Sequence, residues 1–146
     1  MQSMRAIRIY SPHPLQASTE TDLGRAAAAH VGQVLRMQVG QPLTLFDGRG
    51  GEYASSILAC SRQSLRVQVG AHSPIDRESP LAVTLWPALA RGSRFDAIIQ
   101  KATELGAACI QPVQSERSVV RLDTRRAAKK TQHWLDIAIS ACEQCG

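Results

Sequence analysis

The sequence predicts a mixed fold of two domains, α+β in the first and α/β in the second, from three observations. Within residues 1–72, short runs that alternate apolar and polar residues are separated by polar and glycine-rich turns, as in antiparallel sheets. Residues 73–80 are polar and contain two prolines, which is typical of a linker. In residues 81–146, apolar runs alternate with helical patterns, which is typical of parallel strands connected by helices.

The first domain is predicted to contain four strands and one helix, a content that suggests a compact β-barrel. Residues 47–51 include three glycines and should form a tight hairpin connection, because glycine permits positive φ. The helix is expected to begin with a capping box that pairs Ser18 or Thr19 with Thr21 or Asp22, and to run to about residue 30. Its inner side is expected to carry Leu23, Ala27, Val34 and either His30 or Val31. The strands are expected at residues 5–10, 42–46, 52–59 and 64–69, with a turn at 61–63.

The second domain is predicted to contain an amphipathic helix over residues 91–106. Ser93 is expected to cap its start, and Gly106 is expected to end it in a left-handed conformation. The apolar side chains recur at helical spacing and should pack on strands at residues 81–89 and 109–113: Phe95, Ile98, Ile99, Ala102 and Leu105.

The two strands of this domain are continuous apolar runs and are therefore predicted to be buried and parallel. The last helix, over residues 123–145, is apolar nearly all round in its second half, a pattern typical of helices buried on every side. Two strands and two helices offer too little surface to bury all of this. We therefore expect that further chain or a second subunit covers it.

The composition indicates a folded protein with an excess of positive charge. Hydrophobic residues make up 44% of the chain, and 17 Lys and Arg exceed 12 Asp and Glu by five charges. Such an excess favours an anionic partner. No apolar run is long enough to cross a bilayer, and the N-terminus lacks an apolar signal core, so we expect a cytoplasmic protein with reduced cysteines.

The pair Cys142 and Cys145 has the CxxC spacing that zinc sites and redox sites use. A zinc site needs about four ligands, and no second pair with matching spacing occurs. A redox pair normally lies at the start of a helix, whereas this pair closes one. We therefore predict structural thiols and no metal site. The glycines of residues 48–51 join two strands, so they do not predict a dinucleotide site.

Basic residues lie on one face of the last predicted helix, at positions i, i+3, i+4 and i+7: Arg126, Lys129, Lys130 and His133. This row suits a phosphate backbone, although a solvated helix face has the same pattern, and both interpretations stay open here. Arg117 and Arg121 in the preceding loop broaden the positive field.

Six ordered segments resemble the ribosomal RNA small subunit methyltransferase E family: RAIRIY, HVGQVLR, LFDG, IQKATELG, SERSVV and ACEQCG. The resemblance covers essentially the whole chain. It implies methylation of N3 of one uridine in 16S rRNA, with S-adenosylmethionine as methyl donor. It also implies a PUA-like RNA-binding barrel followed by the first half, βαβα, of a knotted SPOUT methyltransferase domain.

The same resemblance implies that S-adenosylmethionine binds to a later, knotted part of the family's chains, so no donor-binding residue is expected in this one. It implies a homodimer for the intact protein and leaves the catalytic residues unknown. A non-catalytic RNA-binding module is the alternative. The expected RNA contacts are Arg8, Arg36, Arg91, Arg94, Lys101, Arg117, Arg126, Lys129 and Lys130.

Overall fold

The computed structural model describes residues 7–117 and 120–146. The chain divides into two compact units, Met1–Asp76 and Arg77–Gly146. The predicted strand start at Arg5, and Ser118 and Val119 of the segment SERSVV, lie outside the described residues. The division falls within the linker predicted at residues 73–80, although the last strand of the first unit extends to Ser73.

The first unit is built on a five-stranded sheet among the described residues. The strands are β1 (Arg8–Tyr10), β2 (Glu20–Asp22), β3 (Pro42–Phe46), β4 (Glu52–Cys60) and β5 (Leu65–Ser73). Their order in the sheet is β1-β3-β4-β5-β2; β1 runs parallel to β3, and the other neighbours are antiparallel. All four predicted strands are present, and β2 is an additional one.

The core of the first unit forms on one face of this sheet, because side chains alternate between the two faces of each strand. In β5, Leu65, Val67 and Val69 are fully buried, while Arg66 between them is exposed. Val31 from the helical segment lies in the same cluster. The alternation predicted from the sequence is therefore the one that builds the core.

The predicted capping box at residues 18–22 is wrong. Thr21 and Asp22 belong to β2, where Thr21 pairs with Val67 of β5. Helix α1 (Gly24–Ala28) begins two residues later, and the Asp22 carboxylate accepts a hydrogen bond of 2.7 Å from the Gly24 N–H. The edge of β5 supplies backbone partners for this segment, a long-range effect that outweighs its local helix-start pattern.

Helix α1 continues as a π-helical segment, Ala29–Val34, which changes the predicted inner side. Val31 is fully buried, but Val34 is 69% exposed. The sequence prediction for Val34 assumed 3.6 residues per turn, whereas a π-helical turn is wider and rotates later residues away from the core. Ala28 is buried where Ala27 was predicted to be, and Ala27 packs partly against the cluster.

Both predicted turns of the first unit are confirmed. Gly48, Gly50 and Gly51 adopt φ values of 74°, 98° and 71° in the connection between β3 and β4. The connection joins antiparallel strands, as expected. At the next turn, Ser61 N–H donates to the Ser64 carbonyl at 2.9 Å.

The second unit contains a parallel pair of short strands, β6 (Thr84–Leu85) and β7 (Cys109–Ile110), extended by a bridge between Ala88 and Val113. The parallel pairing is confirmed, but the predicted burial of these strands is wrong. Both residues of β6 are exposed, and the neighbouring Trp86 is 71% exposed. In the part of the unit that the structure describes, each strand has a neighbour on one side only, so its apolar side chains are incompletely covered.

Helix α2 (Ser93–Glu104) occupies the predicted place, with Phe95, Ile99 and Ala102 buried as expected. Leu105 is 83% exposed, contrary to the prediction, because the helix ends at Glu104 and the chain turns at Gly106 with φ 80°. The prediction that Ser93 caps the start of the helix is also wrong, whereas the left-handed conformation predicted for Gly106 is confirmed. Gly92, with φ 61°, precedes the helix, and no side chain caps it.

Helix α3 (Thr124–Cys145) has nearly the predicted bounds, and Asp123 before it accepts a hydrogen bond of 2.8 Å from the Arg126 N–H. Trp134 is buried and packs on Phe95 of α2, with ring centroids 4.5 Å apart. The all-round burial expected for the second half of α3 is not observed, since Leu135 is 51% exposed. No helix among the described residues combines the length and apolarity that crossing a bilayer requires.

Candidate nucleic-acid interface

Arg8 of the first unit is tied to its own sheet. It lies beside Thr44 on the outer face, with its guanidinium 4.7 Å from the centre of the Phe46 ring and an ion pair to Glu52. The Arg8 side chain is only 17% exposed, and its Nε has no hydrogen-bond partner among the described residues. The charge that we expected to contact RNA is therefore largely offset within the unit.

Arg36 is exposed at the end of the helical segment, in a left-handed conformation with φ 54°. The Met37 N–H donates to the Val31 carbonyl at 3.0 Å and closes the segment around it. Within residues 7–117 and 120–146, no carboxylate pairs with Arg36. Its charge is therefore available to an external anion.

Arg91 and Arg94 of the second unit are exposed at the start of α2, and the described residues contain no ion pair to either of them. Lys101, by contrast, binds Glu104 one turn later at 2.7 Å. The hydrogen bond from Lys101, with a second one from Gln100, lowers the pKa of Glu104 below its usual value. Lys101 is thus a weaker candidate for RNA contact than the two arginines.

The basic row on α3 is present but shorter than predicted. Arg126 lies 3.5 Å from the capping carboxylate of Asp123, while Lys129 and Lys130 are exposed. His133 is not available to an external anion as the two lysines are, because its Nε2 lies 3.1 Å from Oδ2 of Asp96 on α2. Arg117 is exposed next to the two positions outside the described residues, and Arg121 donates to the Glu116 carbonyl at 3.2 Å.

The structure brings two of the predicted residues together at one cavity. Arg91, before α2, and Lys130, on α3, both line a space of about 120 Å³. Sequence analysis did not find this cavity. The spacing of Lys130 and Trp134, four residues apart on one helix face, is the local signal that was available. The full lining is Leu89, Ala90, Arg91, Gly92, Phe95, Val120, Leu122, Lys130 and Trp134.

None of the four cysteines, all of them within the described residues, forms a disulfide. Cys142 is half-buried near the end of α3, and Cys145 is exposed there. Within the described residues, no group of three or more His, Cys, Asp or Glu side chains could hold a metal ion.

Two family models match the chain, one in each unit. Residues 23–70 match the RNA methyltransferase PUA domain, and residues 77–146 match the RNA methyltransferase domain. The first unit is therefore PUA-like, and the chain as a whole is mixed α/β.

Among similar proteins is the ribosomal RNA small subunit methyltransferase E of Bacillus subtilis, 36% identical over 115 residues, which cover 79% of this chain and 45% of that protein. The protein of the same name from Buchnera aphidicola of Schizaphis graminum is 30% identical over 141 residues, 97% of this chain and 57% of that protein. The chain spans about half the length of the curated relatives it matches.

Two solved structures have the same fold. A methyltransferase from Legionella pneumophila, with bound SAM, matches with a TM-score of 0.93 and 43% identity over 98% of this chain and 59% of that one. Ribosomal RNA small subunit methyltransferase E from Neisseria gonorrhoeae, bound to S-adenosyl methionine, matches with a TM-score of 0.91 and 39% identity over 97% of this chain and 58% of that one. The chain thus combines a PUA-like unit with an RNA methyltransferase unit, and nearly its whole length is similar to ribosomal RNA small subunit methyltransferase E proteins.

Proposed function

We propose that the intact protein methylates N3 of one uridine in 16S rRNA of the small ribosomal subunit, with S-adenosylmethionine as methyl donor. The observation that carries this proposal is the match along nearly the whole chain to proteins named for small-subunit rRNA methylation. The complexes of two solved relatives with the methyl donor support the choice of cofactor.

The reaction at N3 replaces the N3–H bond by an N3–CH₃ bond. The N3 proton has to leave to a base, and the methyl group is supplied by the sulfonium of S-adenosylmethionine, which becomes the neutral thioether. Uracil N3 loses its proton well above neutral pH, so the site must stabilise the resulting anion by positive charge or helix ends. We assign no residue of this chain to that step.

The cavity beside α2 does not fit the methyl donor. Its volume of about 120 Å³ is below the roughly 300–1,000 Å³ of cofactor sites. Its charged groups, Arg91 and Lys130, would repel a sulfonium cation. We therefore propose that the donor site belongs to the part of the relatives that this chain does not span. We also propose that the same part contains the SPOUT knot and the homodimer contacts. For the whole protein we propose a cytoplasmic location.

We propose that the basic side chains of the second unit position the rRNA by its phosphates. The best placed are those that are exposed and without an ion pair among the described residues: Arg91, Arg94, Lys129 and Lys130. Arg36 of the first unit is likewise exposed and without an ion pair among the described residues, and we propose it as a further phosphate contact. Arg126 and Arg117 extend the same set, whereas Arg8 and Lys101 already bind Glu52 and Glu104.

Disruption of the gene tests the proposed reaction. We expect nucleoside analysis of 16S rRNA from the disrupted strain to lack one N3-methyluridine, and expression of the intact protein to restore it. An unchanged level of N3-methyluridine in the disrupted strain would contradict the proposal.

A second candidate is an RNA-binding module without catalysis, which the misfit between the cavity and the methyl donor favours for these 146 residues. Calorimetry of the chain with S-adenosylmethionine separates the candidates. We expect no heat of binding; clear binding at micromolar donor would place the donor site in this chain. RNA affinity should fall steeply with salt, because binding to phosphates releases counterions.

A further inference from the structure

We propose that the cavity between Gly92, α2 and α3 binds one nucleotide of single-stranded RNA, with the base inside and the phosphate at the rim. The proposal rests on the RNA-binding function proposed above and adds a site to it. Three features of the second unit support it, namely the apolar interior, a buried donor without an acceptor, and the two cations.

The interior of the cavity is apolar. Leu89, Phe95, Leu122 and Trp134 line it, and its volume of about 120 Å³ far exceeds the roughly 10–15 Å³ that one water needs. Phe95 and Trp134 hold each other in place, with an angle of 45° between their rings. A cavity of this kind accepts a flat, mostly apolar group, and an unstacked base is such a group in RNA.

Trp134 supplies a hydrogen-bond donor that the protein leaves unused. The residue is only 8% exposed, and its Nε1 has no hydrogen-bond partner among the described residues. An unpaired buried N–H destabilises the fold, and most buried indoles therefore have an acceptor. The Trp134 ring lines the cavity, but its Nε1 is not exposed to solvent, so a base carbonyl or ring nitrogen in the cavity accepts this hydrogen bond only after the indole turns towards it.

The charged side chains at the cavity suit the other end of a nucleotide. Arg91 and Lys130 are exposed, line the cavity and have no ion pair within the described ranges. The start of α2 lies beside them, and no side chain occupies its first N–H groups, which favour anions. Asp96, the acidic residue in that first turn, contacts His133 through Oδ2, and its Oδ1 is buried without a partner among the described residues. A phosphate at this rim would thus contact two cations and a helix N-terminus.

Titration of the 146-residue chain with uridine 5′-monophosphate tests the proposal, with the two indole N–H signals followed by NMR. Trp86→Phe identifies the Trp134 signal, and in the unaltered chain the exposed Trp86 serves as an internal reference. We expect a saturable shift of the Trp134 signal, and a much smaller one with ribose 5-phosphate. Arg91→Ala and Lys130→Ala should each weaken binding roughly five- to tenfold.

The matched control is Arg125→Ala, which removes an exposed charge from α3 away from the cavity lining and should change affinity less than about twofold. Three results would overturn the proposal: no Trp134 shift up to on the order of 10 mM nucleotide, equal shifts with ribose 5-phosphate, or equal effects of Lys130→Ala and Arg125→Ala. RNA binding measured on the same samples separates the two ideas. If RNA binds but the nucleotide leaves Trp134 unaffected, the cavity proposal alone fails.

Discussion

The Nε2 atom of His133 on α3 lies 3.1 Å from Oδ2 of Asp96 on α2. This contact joins the two helices beside the packed rings of Phe95 and Trp134. It also removes His133 from the basic row to which its position at i+7 assigned it. A residue that helical spacing placed in a candidate phosphate-binding row instead binds the neighbouring helix.

The His133–Asp96 contact predicts energetic coupling between the two residues. In a double-mutant cycle with His133→Ala and Asp96→Ala, we expect a coupling of about 0.5–1.5 kcal/mol in the free energy of unfolding of the second unit. Trp134 fluorescence during urea unfolding, in a Trp86→Phe background, gives the measurement. Strictly additive effects would show that the contact contributes nothing.

Two residues that the sequence placed on one apolar stripe should differ strongly, namely Phe95 within α2 and Leu105 just after its end. Phe95 is 1% exposed and Leu105 is 83% exposed. Phe95→Ala is expected to lower the free energy of unfolding by about 3–5 kcal/mol, because it leaves a cavity against Trp134. Leu105→Ala, the control, should change it by less than about 0.5 kcal/mol. Similar losses in both variants would contradict the described end of α2.

Gly70 in β5 is required because the neighbouring strand comes very close. A Cβ at this position would lie 2.1 Å from the Ala54 carbonyl oxygen, a backbone atom that cannot rotate away. Gly70→Ala should therefore destabilise the first unit more than Gly48→Ala. A Cβ at position 48 has no atom within 4 Å, so Gly48→Ala should lower the free energy of unfolding only through its positive φ, by about 1–2 kcal/mol. Thermal unfolding of the two variants decides the order, and the reverse order would refute the close approach.

The carboxylate of Asp22 gives a pH-dependent prediction. The Ser64 hydroxyl donates to it, and this bond, with the Gly24 N–H, lowers the pKa of Asp22. A lowered pKa means that the stabilisation is present above the unfolded-state pKa and is lost as the pH falls through the folded-state value. In an NMR titration, Ser64→Ala should raise the pKa of Asp22 towards its ordinary value. No movement would exclude Ser64 as the main cause.

Local chemistry was enough to predict some elements. The glycine turn of residues 47–51 and the alternation in β5 depend on neighbours in sequence, and both are confirmed. The start of α2 shows the limit of such reasoning. Gly92 and Ser93 are adjacent and both are common at helix starts, so the sequence alone did not distinguish them.

Other features depend on residues far apart in the chain. Strand β2 is three polar residues, ETD, whose extended form comes from pairing with β5. The cavity forms because Phe95 packs on Trp134 and brings Arg91 and Lys130 to one space. The pairing of β2 has no local pattern that could have predicted it, and the local signal for the cavity was limited to the spacing of Lys130 and Trp134. The ion pair of Arg8 with Glu52 is also long-range, whereas that of Lys101 with Glu104 joins neighbours on one helix. Each of them weakens a predicted RNA contact.

Methylation of small ribosomal subunits in vitro tests the central claim most directly. Subunits from a strain that lacks the gene are incubated with the intact protein and S-adenosylmethionine. The nucleosides of 16S rRNA are then separated by chromatography and identified by mass spectrometry. We predict one new N3-methyluridine per subunit, with none after omission of the protein or of the donor. Transfer to another atom or another base, or no transfer at all, would contradict the proposed function.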